Sequence, residues 1–365
     1  GDERRSAIET YAQDLGMEDL ITPQDLVVTL SHTGYIKSQP LADYRAQRRG
    51  GRGKQATAMK DDDFIDHLFV ANTHDYLLCF SNRGRCYWLK VYEAPQGSRG
   101  SRGRPIVNMF PLEEGEQINA ILPVKAFSDD HYVFMCSVQG TVKKTSLANF
   151  SNPRQKGIIA VDLDEGDYLV GAELTTGESD IVLVSDGGKA VWFSEDEVRS
   201  MGRQSRGVRG MTLPEGQRII SLLVAENEEE TVLVASENGY GKRTRLGDFR
   251  RSKRGAQGVK AIAASERNGK VVAAKLVTDE DEVMLITTGG VLIRTRVSEI
   301  RELGRATQGV RLIALDSGEK LTGLEKVAES ETDEVETTEE EAADTTVADN
   351  SVGVDNQGNA SEEKL

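Results

Sequence analysis

The chain has 365 residues, 38% of them hydrophobic, with 36 glycines and only 8 prolines. That length allows one large β domain or two ordinary ones, and the glycine excess suits many short strands joined by tight turns. The formal net charge is −15, and no apolar run approaches the ~18 residues of a bilayer span, so a membrane role is excluded.

Residues 1–22 read as helical and then loop-like, a linker from an upstream domain. Gly1-Asp2-Glu3-Arg4-Arg5 has neither an initiator Met nor an apolar signal core, as expected of a stretch within a longer protein. From residue 23 to 328 the chain repeats itself six times. Each repeat has a short apolar strand followed by a turn ending in glycine: Ser31–Gly34, Ser81–Gly84, Ser137–Gly140, Ser185–Gly188, Ser236–Gly239 and Thr287–Gly290. The glycines are 50, 56, 48, 51 and 51 residues apart. A second glycine follows each at an offset of 19 residues, or 17 in the third repeat: Gly53, Gly103, Gly157, Gly207, Gly258 and Gly309. Each repeat holds about four strand-like runs, clearest in the sixth at Glu282–Thr287, Val291–Val297, Val310–Leu315 and Lys320–Val327. Six four-stranded units predict an all-β, propeller-like array of blades, with the turn glycine supplying a positive φ. Residues 329–365 hold 13 acids and one Lys and no aromatic residue. They predict a disordered acidic tail.

Without that tail the net charge is only −3, and the remaining charge is patterned. The connections that end just before each second glycine hold 17 basic and seven acidic residues. The cations singled out there are Arg48, Arg49 and Arg52; Arg99 and Arg102; Arg154 and Lys156; Arg203 and Arg206; Arg250, Arg251, Lys253 and Arg254; and Arg305. The preceding strands add Arg243 and Arg245 in the fifth repeat and Arg294 and Arg296 in the sixth. Period-two geometry puts each pair on one face. Lys144 matches Arg243 in the third repeat. Equivalent loops of equivalent blades lie on one rim, so this pattern predicts a cationic track for a polyanion. Guanidinium forks suit phosphate, and loop glycines let backbone N–H groups approach closely. Aromatic residues are few in these windows: Tyr44, Tyr92, Phe150 and Phe249. Duplex backbone contact is therefore the expectation, with little base stacking or base readout.

The run Gln47-Arg48-Arg49-Gly50-Gly51-Arg52-Gly53, followed by Lys54, resembles the gyrase A box of the C-terminal domain of DNA gyrase A subunits. Arg52 stands where that family usually has Lys. Glu18–Thr22, Val28–Gly34, Phe64–Asn72 and Arg102–Leu112 are similar to the same family. The resemblance implies a six-bladed β-pinwheel, a propeller-like disc whose strands are exchanged between neighbouring blades and which wraps duplex DNA around its rim in a positive sense. It implies as partners the rest of the gyrase A subunit, together with the gyrase B subunit, in an A2B2 complex. The isolated domain would be monomeric and cytoplasmic, at the nucleoid. ATP and Mg would be used elsewhere in the holoenzyme, leaving no cofactor in this chain. The cleaving tyrosine would lie upstream, so none of the nine tyrosines here is expected to be catalytic.

The residues themselves carry no phosphate-loop or nucleophile-elbow motif. Four scattered histidines and three cysteines (Cys79, Cys86, Cys136) lack metal-ligand spacing and fit a reducing compartment. Asp61-Asp62-Asp63 reads as an exposed turn. Rival readings are the C-terminal module of topoisomerase IV, a protein-interaction propeller, and a propeller enzyme with carboxylates near its axis.

Overall fold

Each repeat is organised by its Ser–x–x–Gly turn. The Ser carbonyl accepts the glycine N–H, from Gly34 to Ser31 at 2.9 Å and from Gly188 to Ser185 at 3.0 Å. The Ser hydroxyl accepts the next N–H, as at Tyr35, Arg85 and Thr141. The turn glycine takes φ values of +74° to +89° in the first five repeats, where a Cβ would be strained. The computed structural model describes residues 16–41, 63–98, 101–289 and 291–328. The 47–54 motif, Arg99, the 329–365 segment and most of the expected 1–22 linker fall outside the described residues, as does the turn glycine Gly290.

The described strands form six antiparallel sheets, the blades of a propeller-like disc. Blade 5 runs from Val271–Val277 through Thr231–Ser236 and Tyr240–Arg245 to Val310–Arg311. Blades 1 to 4 repeat this order, each ending on a two-residue strand: Arg104–Pro105, Ile158–Ile159, Val208–Arg209 and Val259–Lys260. In every case that last strand comes from the following repeat. The sequence reading counted Val310–Leu315 among the sixth repeat's strand-like runs, and the resemblance implied strands exchanged between neighbouring blades. Only Val310–Arg311 is a strand, and it pairs with Tyr240–Gly241 of blade 5. Blade 6 has three strands among the described residues, Leu321–Lys326, Glu282–Thr287 and Leu292–Arg296.

The second glycine explains this exchange and the fixed phase of the two anchors. A Cβ on Gly309 would stand 2.5 Å from the Gly241 carbonyl oxygen, and one on Gly207 2.4 Å from that of Val142. Both glycines also have positive φ, +77° and +104°. Three residues later an N–H reaches the preceding turn glycine: Leu312 donates to Gly239 O, Ala261 to Gly188 O and Gly210 to Gly140 O, each at 2.8 Å. The two glycines of neighbouring repeats thus meet in space. The sequence reading assigned loop glycines to phosphate approach; the described second glycines serve strand exchange instead.

Alternation along the strands buries apolar side chains between blades. Five inter-blade cores hold eleven to fourteen buried residues each, among them Phe134 and Phe193 between blades 3 and 4. Burying a side chain of Leu or Phe size stabilises by roughly 1.5–3 kcal/mol, so these cores hold the disc together. Among the described residues, blades 6 and 1 share Phe64, Met284 and Val327 as buried members. The inner strands of all six blades line an axial cavity of about 570 Å³. Its carboxylates include Glu325, held by Lys275 at 2.6 Å, and Glu173, whose pKa burial raises. No group of three potential metal ligands occurs among the described residues. None of the helices there is long and apolar enough to cross a membrane.

Candidate nucleic-acid interface

In repeats two to six the chain makes a short 3-10 turn after the second long strand, such as Glu195–Glu197 or Val297–Glu299. It then lies along the outer strand of the preceding blade. Single parallel bridges mark the path: Ser38 with Gln96, Lys144 with Ser200, Trp192 with Arg251, and Arg243 with Glu302. Because the inner strands surround the axis, these basic connections occupy the periphery of the disc. The four side chains that dock them follow from their position four residues after the turn glycine. Ser38 Oγ donates to Ala94 O (3.1 Å), Trp88 Nε1 to Phe150 O (2.8 Å), Lys144 Nζ to Glu195 O (3.1 Å) and Arg243 Nε to Ile300 O (2.6 Å).

This corrects the reading of Arg243. Its side chain is only 9% exposed and paired with Asp279, so it is a staple between repeats and not a surface cation. Lys144 plays the same part and lies 3.9 Å from the fully buried Glu195. Glu195 in turn accepts the N–H groups of Gly177 (2.6 Å) and Ser179 (2.8 Å) and the Thr175 hydroxyl (2.7 Å). Period two tells which face a residue takes, but not whether a later loop covers that face.

Most of the other predicted cations are at the surface. Arg102 is exposed and stacks over the Tyr35 ring at 4.0 Å. Arg154, Lys156, Arg250 and Lys253 are exposed. Arg206, 69% exposed, meets Asp162 (3.3 Å) and Asp164 (2.9 Å); Arg245 meets Glu302 (2.8 Å); Arg251 meets Asp180 (2.6 Å) and covers Trp192. Arg254 donates to the carbonyls of Glu197 and Arg209. Arg294 and Arg296 share one face, as expected, and both reach Glu282, at 2.9 and 3.7 Å. Arg203 and Arg305 are half-buried. The Arg206 and Arg245 pairs are exposed on both sides and worth about 0–1 kcal/mol, so a phosphate can replace the carboxylate there at little cost, whereas the Glu282 carboxylate is buried.

Four rim cations among the described residues escaped the sequence reading. Arg104, Arg209, Lys260 and Arg311 lie in the exchanged strands and are exposed. Arg311 donates to the Tyr240 hydroxyl (3.2 Å), and Arg267 lies over the same ring at 4.3 Å. The available signal was a basic residue one or two places after the second glycine, just beyond the connections that precede it.

Comparison with known proteins gives a consistent picture. The chain matches the family described as DNA gyrase C-terminal domain, beta-propeller, over residues 25–72, 75–125, 131–176, 179–226, 230–278 and 281–328. It is 54% identical over 334 residues to the DNA gyrase A subunit of Salmonella typhimurium, covering 92% of this chain and 38% of that protein. It is 52% identical to the same subunit from Neisseria gonorrhoeae, covering 91% and 41%. The chain therefore spans about two fifths of the length of these relatives. Among solved structures it resembles a DNA topoisomerase IV C-terminal domain (TM-score 0.77, 28% identity, 88% of this chain and 99% of that one). It also resembles a DNA gyrase A C-terminal domain (TM-score 0.62, 29% identity, 83% and 99%).

Proposed function

Since the chain belongs to the DNA gyrase C-terminal domain family, we propose that it is the DNA-wrapping part of a gyrase A subunit, supporting ATP-dependent negative supercoiling without a catalytic site of its own. The observation that carries this reading is the row of in-phase basic loops, those of repeats two to six laid on the outer edge of the preceding blade. Cations spread around a disc can engage one duplex together only if the duplex bends. Bending a 20–30 bp stretch by 40–90° costs on the order of 1–6 kcal/mol, which several phosphate contacts offset. Binding is then duplex-directed, weakly sequence-dependent and steeply salt-dependent, each neutralised phosphate adding about −0.9 to the log–log slope.

Within this reading the 47–54 motif anchors one end of the wrap. Its Arg48, Arg49, Arg52 and Lys54 form the densest positive run of the first repeat. The acidic 329–365 segment competes with DNA for the rim. The partners are the rest of the gyrase A subunit, together with the gyrase B subunit, in an A2B2 complex in the cytoplasm. The fold is shared with topoisomerase IV, but about half of the residues are identical to those of gyrase relatives, which favours gyrase. The test is ligation of nicked circles with and without the chain. A shift of linking number toward positive values, growing with protein, is expected; unchanged topoisomers at saturating protein would falsify wrapping.

A further inference from the structure

Three residues after the turn glycine, the repeats alternate. Repeats one, three and five have Lys37, Lys143 and Lys242; repeats two, four and six have Tyr87, Val191 and Ile293. Lys143 and Lys242 are only 1% and 0% exposed. Neither forms an ion pair among the described residues. Each instead donates to carbonyl oxygen of the following repeat's basic loop. Lys143 Nζ donates to Arg203 O there and, within its own repeat, to Ala160 O (2.6 Å). Lys242 Nζ donates to Gly304 O (2.6 Å), Arg305 O and the Thr307 hydroxyl (3.2 Å). Lys37, less deeply placed, reaches Ser101 O (2.9 Å) and Ser98 O (3.3 Å). The loops so held share an Arg–x–Ser/Thr run: Arg99–Ser101, Arg203–Ser205 and Arg305–Thr307.

A buried ammonium without a carboxylate is costly, and apolar residues fill the same position in the other repeats. Two consequences of the lysine bear on phosphate. Carbonyl oxygens turned onto an ammonium keep the negative ends of the loop dipoles away from an arriving anion. The ammonium also adds a positive charge directly beneath the arginines, where low dielectric makes it act strongly.

We propose that Lys37, Lys143 and Lys242 are positioning residues for duplex binding, each holding the basic loop of the next repeat in its phosphate-accepting shape. At the described stations the rim then alternates, lysine-backed at repeats two, four and six and backed by Tyr87 and Val191 at repeats three and five. This rests on the wrapping reading and adds a charge beneath the loops that a purely surface account lacks.

The titration of these groups separates the role from a merely structural one. Burial lowers the Lys143 and Lys242 pKa values to about 8, with Arg203 and Arg305 respectively adding to the effect. Asp162 opposes the shift at Lys143 but is itself engaged by Arg206; the nearby Cys86 thiol stays protonated because burial raises its pKa. An unfolded lysine titrates near ~10.4, so between about pH 8 and 10 the unfolded chain binds more protons and these groups make the fold more stable as pH rises. A phosphate on the loop favours the ammonium, so DNA binding takes up protons and weakens over the same interval. Stability and affinity thus move in opposite directions.

The experiment compares the whole chain with Lys143→Met, Lys242→Met and the double variant on a linear duplex, by affinity at several salt concentrations and pH values. The double variant is expected to bind about tenfold more weakly near neutral pH, with a shallower salt slope, and to lose the decline in affinity toward about pH 9.5. Arg251→Ala should weaken binding but keep that decline. Should the methionine variants fail to fold, calorimetry of the unsubstituted chain in two buffers of different ionisation enthalpy at about pH 8.5 still decides, with net proton uptake expected on binding. Affinity and pH profile unchanged in the variants, or binding without proton uptake, would overturn the lysine role alone. Absence of any duplex binding by the unsubstituted chain would remove the wrapping reading and this one together.

Discussion

The interface between blades 3 and 4 and the one between blades 6 and 1 are built from the same repeat, yet differ greatly. The first buries eleven apolar residues, including Phe134, Val142, Phe193 and Met211, and is crossed by the exchanged strand Val208–Arg209. The second has three buried members, a ring stack of Phe64 on His32 at 5.0 Å, and a backbone bond from Ala328 N–H to Ile65 O at 3.3 Å. Blade 6 has no fourth strand among the described residues, and Val291 and Ile293 are 48% and 38% exposed. A disc assembled from neighbour contacts is only as continuous as its weakest contact. Among the described residues the interior interfaces therefore carry more buried apolar contact than the 6–1 seam.

The largest expected effect is at the strong interface. Phe193→Ala should cost about 3–5 kcal/mol in denaturant unfolding, because a large cavity opens in a core that cannot collapse around it. Phe64→Ala, in the thin seam, should cost about 2 kcal/mol or less. Equal losses would erase the distinction. Next is the staple Arg243→Met, which leaves the Ile300 carbonyl unpaired and should destabilise by about 1–3 kcal/mol. If Arg243 instead serves the surface, stability will hold and only DNA affinity will fall. Amide exchange sharpens the comparison further. Outward amides of Leu292–Arg296 should exchange well ahead of those of Lys189–Ser194; equal protection would show that residues outside the described ones complete blade 6. The smallest effect is chemical. Cys79, Cys86 and Cys136 are buried and their thiol pKa values are raised by that burial. All three belong to interfaces between blades 1 and 4. Thiol reagents should leave the native chain unmodified even when the seam opens, and slow labelling in step with seam exchange would contradict that separation.

Much of the architecture was legible in the residues. Two glycines in fixed phase, period-two strands and Ser-initiated turns follow from local backbone requirements, and local requirements are what a sequence displays. Exchange of strands between blades came only through the family resemblance; the repeat pattern itself did not show which run is exchanged, because that depends on a contact some 70 residues back, as between Arg311 and Tyr240. The same limit applies to the rim. One-signed loops identified the periphery, yet Arg243 and Arg245 look alike in sequence and separate only when the loop of the next repeat covers the first. Lys143 and Lys242 were passed over because a lysine in a strand ordinarily lies at the surface.

The docking of each second glycine onto the preceding turn also gives synthesis a direction. As the chain leaves the ribosome, blade 5 remains an open edge until Val310–Arg311 emerges, and each earlier blade waits in the same way for its successor. Every repeat matures one step late. A stalled or cleaved chain would then display one unpaired strand at its last blade wherever the break falls between repeats, a ready handle for chaperones or proteases that recognise bare sheet edges.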